Sequence, residues 1–440
     1  MKKLNITFCS FPDFAGNAKA LYEYMEKTYK DKMNYTWIVY NEESVKRLKD
    51  LGINAILIGT DEFKKYIPKT NVFFTTHANL TGDKWKCKNA LYIELWHGIS
   101  PKKLGYMMNN ISIKDRKWYR ELSHLLDYVI VPSELWQTIY ASRFYLNINQ
   151  ILPIAYPKLD LIKNKNAKDN LSKILKTNIE RYNKIILYAP TFRSGCGRKS
   201  DSSLGDNIID LKKYDENVFI NYLKNNNYLL CVKEHPSEEL NFTKNIKESF
   251  NIRILHNSEI KNNFMDIYDV LDAADLLITD FSSLGIEFIY LDKPVVYLNT
   301  KEKEYLKNRG IVFSDFNFWT SNTAVNNIDS LIQLVDSYFK NNNYIYDNLD
   351  KKKLFFSTLA DGGCGNICDY FFTSDGQLKK VNKVENDSYN YYKTGEKLLD
   401  TTEKYKYYKD LSEKQQDTIN IIVNSRGWKL LEKLRRLFRR

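Results

Sequence analysis

The sequence predicts an α/β protein made of two doubly wound, Rossmann-like domains that face one cleft, followed by a helical carboxyl-terminal appendage. The chain has 440 residues, which is too long for one ordinary hydrophobic core. Short apolar runs alternate with helix-length segments, and this alternation is typical of βαβ units and a mostly parallel sheet. The alternation occurs twice, on either side of an Asn- and Lys-rich connection at residues 161–182.

The first domain is predicted over residues 1–165. Its first strand is followed by a helix at 18–27, in which Leu21, Tyr24 and Met25 are expected to share one face. The apolar runs interpreted as strands cover residues 5–11, 35–40, 55–58, 72–76, 91–96 and 128–131.

The second domain is predicted over residues 183–372, with strands at 184–188, 228–233, 252–255, 276–279 and 294–298. Because ligands of doubly wound sheets bind beyond the carboxyl ends of the strands, the loops that follow the strands are the candidate sites. Residues 375–440 are charged, rich in Asn and Tyr, and poor in apolar periodicity. They are expected to form a partly ordered appendage.

The loop after the strand at 91–96 presents a histidine. His97 follows the strand directly, and Gly98 permits a tight turn that would place the imidazole at the strand end. A histidine in this position can act as a general base at neutral pH. A histidine that is only hydrogen-bonded into a polar turn is the alternative, and position alone does not separate the two.

Two loops of the second domain end in cationic or imidazole side chains. Arg193 follows the strand at 184–188 and could bind two phosphate oxygens through its guanidinium group. His235 follows the strand at 228–233. Taken singly, each loop is explained better by the alternative, a surface arginine for Arg193 and a charged turn closed by proline for His235.

A third loop of the second domain joins a buried strand to a helix. Asp280 ends the strand, and Ser282 and Ser283 open the helix, where freed backbone N–H groups favour an anion. An ordinary helix cap is the alternative. Glu287, inside this helix, could accept hydrogen bonds from ribose hydroxyls or could be a solvated helix charge.

Five segments together resemble a known family over about residues 10 to 370. In chain order they are Gly-Asn-Ala-Lys-Ala-Leu-Tyr at 16–22, Leu-Trp-His-Gly at 95–98, Tyr-Ala-Pro-Thr-Phe-Arg at 188–193, Lys-Glu-His-Pro at 233–236 and Leu-Ile-Thr-Asp-Phe-Ser-Ser at 277–283. This combination resembles the CDP-glycerol glycerophosphotransferases of teichoic acid and capsule synthesis. The resemblance implies a GT-B-like fold, an enzyme of the phosphotransferase type, and His97 as the catalytic base.

The resemblance also implies the substrates. A CDP-alditol, CDP-glycerol or CDP-ribitol, would donate phosphoglycerol or phosphoribitol to a hydroxyl of a lipid-linked or polymeric acceptor and release CMP. Arg193, His235 and the helix start at Ser282 would hold the donor pyrophosphate. Lys102 and Lys103 could attract an anionic acceptor.

No cofactor is expected, because the CDP-alditol is itself a substrate. The chain contains no Asp-x-Asp motif, so we expect no essential metal either. The nearest rival is a GT-B glycosyltransferase that uses a nucleotide-sugar donor for surface polysaccharide. The same strand-end sites would serve it.

The last fifteen residues concentrate charge. The net charge of the chain is +12, and residues 426–440 carry seven Arg or Lys and one Glu, a net +6. Apolar residues recur there at helical spacing between the cations, which is typical of an amphipathic helix on anionic lipid. A helix packed on the protein body is the alternative. The residues assigned to membrane contact are Trp428, Lys429, Arg435, Arg436, Arg439 and Arg440.

We expect a peripheral protein at the cytoplasmic face of the membrane, attached through the basic terminal segment. No apolar run approaches the roughly 20 residues that span a bilayer, and the first residues are interpreted as a buried strand rather than a signal peptide. Nucleic acid is not expected as a partner, because the basic cluster is terminal and no recognised binding module occurs. Six scattered cysteines are expected to be reduced; Cys364 and Cys368 as metal ligands are the less favoured alternative.

Overall fold

The computed structural model contains two parallel sheets, each with helices on its faces. The residues that it describes are 3–84, 86–87, 89–108, 111–154, 156–190, 208–209, 211, 214–233, 246–299, 310–313, 319–320, 323–341, 351–356, 362–381, 388–425, 427–429 and 433.

The first sheet has seven parallel strands in the order β3-β2-β1-β4-β5-β6-β7. All six predicted strands are present. The seventh was not predicted, because two residues are too few to show an apolar pattern. The strands are β1 (Leu4–Cys9), β2 (Met33–Val39), β3 (Ala55–Leu57), β4 (Val72–Thr75), β5 (Leu91–Glu94), β6 (Tyr128–Ile130) and β7 (Ile151–Leu152).

The helices of this domain cover both faces of the sheet. In the first helix Leu21 and Met25 are fully buried, as predicted, whereas Tyr24 is 39% exposed and its hydroxyl lies near Gly365. The prediction of one shared face was wrong for Tyr24. The helices are α1 (Gly16–Tyr29), α2 (Glu42–Asp50), α3 (Asp61–Tyr66), α4 (Thr81–Lys84), α5 (Ile113–Leu125), α6 (Glu134–Phe144), α7 (Leu159–Ile162) and α8 (Ala167–Leu175).

The second sheet has six parallel strands in the order β10-β9-β8-β11-β12-β13. The five predicted strands are present, and only the two-residue β13 was not predicted. The strands are β8 (Lys184–Tyr188), β9 (Tyr228–Lys233), β10 (Ile252–Leu255), β11 (Leu276–Thr279), β12 (Val295–Leu298) and β13 (Ala324–Val325). Its helices are α9 (Glu216–Asn226), α10 (Asn257–Asn262), α11 (Ser283–Phe288) and α12 (Ile328–Asn341).

Both sheets share one strand order, in which the chain builds outward in one direction and then restarts beside its first strand. The restart lies between β1 and β4 in the first sheet and between β8 and β11 in the second. Crevices form at such switch points, outside the carboxyl ends of the strands. The predicted α/β architecture of two doubly wound domains is therefore present, and the loops after β4, β5 and β11 are in the expected place for a site.

After the second sheet the chain returns to the first domain. Helix α13 (Gly363–Phe371) packs Cys364, Ile367 and Cys368 into the apolar core of the first sheet. Asp160, at the end of the first domain, accepts hydrogen bonds from the backbone N–H groups of Gly363 (2.9 Å) and Cys364 (2.9 Å). The five cysteines in the described ranges are free and buried, in agreement with the prediction of reduced thiols.

The appendage contains a long helix, α14 (Ser388–Asn424), which contacts α5. The helical appendage predicted from the sequence is therefore present. Residues 401–421 of the helix are exposed on all sides, which explains its weak apolar periodicity. Among the described residues, no helix is both long and apolar enough to cross a membrane.

Candidate functional site

His97 lies in a tight turn directly after β5. Its neighbour Trp96 adopts a left-handed backbone conformation with φ of 53°, which a tryptophan takes only when its surroundings enforce it. The Nδ1 atom of His97 lies 3.0 Å from the carbonyl oxygen of Thr76. A carbonyl only accepts hydrogen bonds, so Nδ1 carries the proton and Nε2 keeps a free lone pair.

A second histidine, which the sequence analysis missed, lies against the first. The rings of His77 and His97 stack with centroids 3.8 Å apart and planes 10° apart. Trp96 also contacts the His97 ring, at 4.7 Å. His77 follows β4, the neighbour of β5, so the parallel register brings the two strand ends together. His77 lies in no recognised motif, so it could be identified only once the pairing of β4 with β5 was known.

The electrostatics keep both rings neutral. Desolvation by the surrounding protein, together with the cations of Lys158, Arg143 and Lys102, lowers the pKa of His97 to about 4 against the raising effect of the Thr76 carbonyl. The residue is nevertheless exposed to solvent. Burial and the nearby His97 lower the pKa of His77 to about 2. Near pH 7 the free Nε2 of His97 is therefore able to accept a proton.

A buried carboxylate supports both histidine turns. Glu94 Oε1 accepts from the backbone N–H of Trp96 (2.9 Å), and Oε2 accepts from the N–H of Ala78 (2.9 Å) and the hydroxyl of Thr75 (2.6 Å). Only 1% of Glu94 is exposed, and this burial raises its pKa to about 7. The signal in the sequence was an acidic residue at the end of an otherwise apolar strand.

The turn of His97 contacts the start of α11 in the second domain. A Cβ atom on Gly98 would lie 2.8 Å from the Oγ of Ser283, so only glycine allows this approach without a shift of Ser283. Ser282 caps α11 by accepting from the N–H of Leu284 (3.2 Å). Asp280, just before them at the end of β11, is buried. The structure thus brings the turn that carries His97 next to the Ser282–Ser283 pair.

Glu287 lies within a buried network between the domains. Lys158 Nζ is 2.8 Å from Glu287 Oε1, and both side chains are inaccessible to solvent. The Tyr268 hydroxyl donates to Oε2 (2.7 Å), and the backbone N–H of Ile99 donates to Oε1 (3.2 Å). The alternative of a solvated helix charge was therefore wrong.

Lys158, which the sequence analysis did not identify, connects this network to the histidine turn. Its Nζ donates to the carbonyl oxygen of His97 (3.1 Å) and to the hydroxyl of Tyr268 (2.6 Å). Asn17, from the segment matched to the amino-terminal signature, accepts from the Lys158 N–H (3.1 Å) and donates to the carbonyl oxygens of Leu95 and Trp96 (2.9 Å each). The backbone on both sides of His97 is thereby fixed.

Lys102 and Lys103 lie on a short antiparallel contact between the domains. Lys102 pairs with Ile311, and the N–H of Lys103 donates to the carbonyl oxygen of Gly310 (3.1 Å). Arg143 donates to the carbonyl oxygen of Lys102 (2.9 Å). Both lysine side chains are partly exposed beside the histidine turn.

The remaining predicted residues divide into two groups. Trp428, at 38% exposure, and Lys429 are described. Outside the described residues lie Arg193, His235, Arg435, Arg436, Arg439 and Arg440. Within the described ranges, no group of three or more His, Cys, Asp or Glu side chains is arranged to hold a metal ion.

The chain is similar to known proteins over most of its length. A sequence model of the family described as CDP-Glycerol:Poly(glycerophosphate) glycerophosphotransferase matches residues 1–371. A teichoic acid glycerol-phosphate primase of Bacillus subtilis (strain 168) is 32% identical over 312 residues, which are 68% of this chain and 75% of the relative. A teichoic acid poly(glycerol phosphate) polymerase of Bacillus spizizenii is 27% identical over 347 residues, 76% of this chain and 82% of the relative.

A solved structure of the wall teichoic acid polymerase TagF superposes with a TM-score of 0.67 at 21% identity, covering 84% of this chain and 89% of that chain. At this identity the likeness concerns the fold alone. It confirms the predicted GT-B-like arrangement.

Proposed function

Because the chain belongs to the CDP-glycerol:poly(glycerophosphate) glycerophosphotransferase family, we propose that it transfers a phosphoalditol from a CDP-alditol to a hydroxyl of a polymeric or lipid-linked acceptor, with release of CMP. The family predicted from the strand-end motifs is confirmed, and the chain is a transferase. Glycerol phosphate appears in the names of both relatives described above, which favours CDP-glycerol over CDP-ribitol as the donor.

The transfer needs a base and a site for the pyrophosphate. The acceptor oxygen attacks the phosphorus that carries the alditol, and a new P–O bond forms. The bond from this phosphorus to the bridging oxygen breaks, and that oxygen leaves as part of CMP. The Nε2 atom of His97 accepts the hydroxyl proton. Such a reaction depends mainly on positioning and on neutralising charge on phosphate oxygens.

The contact between the His97 turn and the first turn of α11 carries this proposal. Gly98 lies against Ser283, which supports a base at His97 acting next to the helix start that the motifs assign to the donor. Arg193 and His235, which follow β8 and β9 in the same domain, would complete the pyrophosphate site. We assign no cofactor, because these cations neutralise the donor.

The rest of the site holds these groups in place. Glu94 and Asn17 fix the backbone around His97, and Lys158 ties the same turn to Glu287 of the second domain. Glu287 is then a positioning residue between the domains, since its carboxylate is engaged by protein donors. Lys102 and Lys103 lie beside the turn, where they would attract an anionic acceptor.

We place the enzyme at the cytoplasmic face of the membrane, held by the basic segment at 426–440. The support is the charge of that segment and the exposure of Trp428. A lipid-linked acceptor would be reached most readily from a membrane-bound position.

A donor screen tests the proposal. The purified chain is incubated with a glycerol phosphate oligomer and, in turn, CDP-glycerol, CDP-ribitol or UDP-glucose, while nucleotide release and product mass are measured. We expect CMP and a product heavier by one phosphoglycerol unit with CDP-glycerol. Release of UDP together with a glucosylated product would overturn the proposal in favour of a glycosyltransferase. The His97→Asn variant controls for background hydrolysis.

A further inference from the structure

His77 contacts the candidate base directly, yet the mechanism above gives it no task. Its ring is stacked on that of His97, with centroids 3.8 Å apart and planes 10° apart. Aromatic pairs in proteins usually have their centroids about 4.5 to 7 Å apart, so these two imidazoles lie unusually close, face to face. A contact of this kind restricts the orientation of both rings.

The imidazole of His97 depends on such a restraint, because the residue is exposed to solvent. One hydrogen bond, from Nδ1 to the carbonyl oxygen of Thr76 (3.0 Å), fixes one edge of the ring. A single hydrogen bond still lets the ring turn about the line that joins donor and acceptor. The Trp96 ring is farther away and more tilted, at 4.7 Å and 30°, so the flat surface that opposes this rotation is mainly His77.

Both restraints on the His97 ring come from one dipeptide. Thr76 provides the carbonyl oxygen, and His77 provides the stacked ring. The dipeptide directly follows β4, which is paired with β5, the strand that leads to His97. Strand pairing therefore sets the position of the hydrogen-bond acceptor and of the stacked ring at the same time.

The His77 ring is itself held by contacts that do not involve His97. Its backbone N–H donates to Oδ1 of Asn79 (2.9 Å), and its Nδ1 lies 2.9 Å from the hydroxyl oxygen of Thr76. The Phe11 ring meets the His77 ring at 5.9 Å, with an angle of 80° between the planes. His77 is thus a fixed surface on which the more exposed His97 ring rests.

The His77 ring is also uncharged, which suits a neighbour of the base. Burial and the nearby His97 lower the pKa of His77 to about 2. His97 becomes an imidazolium when it accepts the hydroxyl proton, and the face of a neutral aromatic ring attracts a cation. A charged ring at the same place would repel it.

We propose that His77 is a positioning residue for the reaction: its ring sets the plane of the His97 imidazole in which Nδ1 donates to Thr76 and Nε2 is left free to accept the proton. The inference rests on the proposed function, because it treats His97 as the base. It assigns the task to the aromatic face of His77 rather than to its nitrogen atoms.

Two substitutions separate the ring of His77 from its nitrogen atoms. His77→Phe and His77→Leu both remove the nitrogens, and only His77→Phe keeps a flat ring. The ¹⁵N chemical shifts of the histidine-labelled chain, without substrate, report the tautomer of His97, and His97→Asn assigns its signals among the five histidines. We expect the Nδ1–H form in the unaltered chain and in His77→Phe. His77→Leu should show both tautomers, because the ring can then turn away from Thr76.

Steady-state kinetics with CDP-glycerol provides the second measurement. We expect His77→Leu to lose about tenfold in kcat, while KM for CDP-glycerol stays within about twofold and His77→Phe keeps kcat within about threefold. A role in folding alone would lower the unfolding temperature without changing the tautomer of His97. His124→Leu, at an exposed position in α5, is the matched control and should change neither quantity.

His77→Gln is a second variant without a ring, so the test does not depend on the folding of one chain. The inference is overturned if the ringless variants keep the Nδ1–H form, if they keep kcat, or if His77→Phe loses as much as they do. Mixed tautomers in the ringless variants, with no CMP release by the unaltered chain, would remove the proposed function alone. Product formation with unchanged tautomers in the ringless variants would remove this inference alone.

Discussion

Lys158 and Glu287 form an ion pair of 2.8 Å across the domain boundary, and solvent reaches neither side chain. Burial lowers the pKa of Lys158, and the carboxylate of Glu287 offsets part of that effect. The lysine also donates to the carbonyl oxygen of His97, so one buried cation joins α11 to the turn that carries His97. The pair therefore couples the stability of the domain interface to the geometry of the site.

Replacing one partner of this ion pair should lower the free energy of unfolding substantially. Lys158→Met leaves the Glu287 carboxylate buried without its cation, and such a loss typically costs about 3 to 5 kcal/mol. The double variant Lys158→Met, Glu287→Gln should recover much of the loss, because no buried charge is left unpaired. Thermal and urea unfolding of the three chains checks this. Equal stability of the single and double variants would show that the pair does not couple.

The Glu94 carboxylate should affect turnover more than donor binding. Glu94→Gln replaces one acceptor oxygen by an NH₂ group that faces a protein donor, at a cost of about 1 to 3 kcal/mol. We expect kcat to fall about tenfold or more, with little change in KM for CDP-glycerol, because Glu94 is placed to hold the His97 turn. Steady-state kinetics measures both. Glu62→Gln, at an exposed position, is the control, and a rise in KM with unchanged kcat would contradict the positioning role.

Burial of Glu94 also predicts a pH dependence of stability. Its pKa of about 7 in the folded chain lies above the ordinary glutamate value of 4.5, so the folded state binds a proton that the unfolded state has released. The free energy of unfolding should therefore fall as pH rises from about 4.5 to 7. Glu94→Gln cannot ionise and should lack this component. Unfolding curves across this range, compared between the two chains, test it; parallel pH profiles would contradict it.

Some residues at the strand ends could be identified from the sequence, and others could not. His97 could be predicted because a buried strand, a histidine and a glycine are adjacent in the chain. His77 and Lys158 could not, because they reach the site through strand pairing and through the return of the chain after β7, and neither leaves a local pattern. The two-residue strands β7 and β13 were missed because their apolar pattern is too short to signal an element.

The environment of Glu287 could not be predicted from the sequence for a different reason. Its position one turn into a helix suggested either a ribose contact or a solvated charge, and both readings treat the helix in isolation. The partner that buries it, Lys158, is 129 positions away in the sequence, so only the docking of the two domains reveals the pair.

The pKa of His97 predicts an unusual pH profile. With a pKa of about 4, the imidazole stays neutral well below the ordinary histidine value of 6.5. The acidic limb of kcat/KM should therefore lie near pH 4, with the base lost as pH falls through that value. His97→Ala should reduce kcat by about 10² to 10⁴. An acidic limb near pH 6.5 in the unaltered chain, or near-normal turnover by His97→Ala, would contradict the assigned role.

Metal removal should have little effect on the reaction. The proposed neutralisation of the donor uses Arg193, His235 and the start of α11, and the chain lacks an Asp-x-Asp motif. We expect turnover of CDP-glycerol in excess EDTA to stay within about twofold of the untreated rate, because positioning and cationic side chains supply the stabilisation. CMP release measures it. A loss that added Mg²⁺ restores would show that a divalent ion takes part.

The basic terminal segment should control attachment to anionic membranes. Each Lys or Arg near such a surface contributes about 1 kcal/mol, so removal of residues 426–440, with a net charge of +6, should abolish sedimentation with phosphatidylglycerol vesicles. Binding of the full chain should also weaken as salt rises, because the attraction is screened. Trp428→Ala should weaken binding less than the truncation does, and Trp118→Ala, which alters a tryptophan 49% exposed in α5, should leave binding unchanged. If the truncated chain still sediments with these vesicles as the full chain does, the attachment lies elsewhere on the protein, and the exposed helix α14 becomes the surface to test.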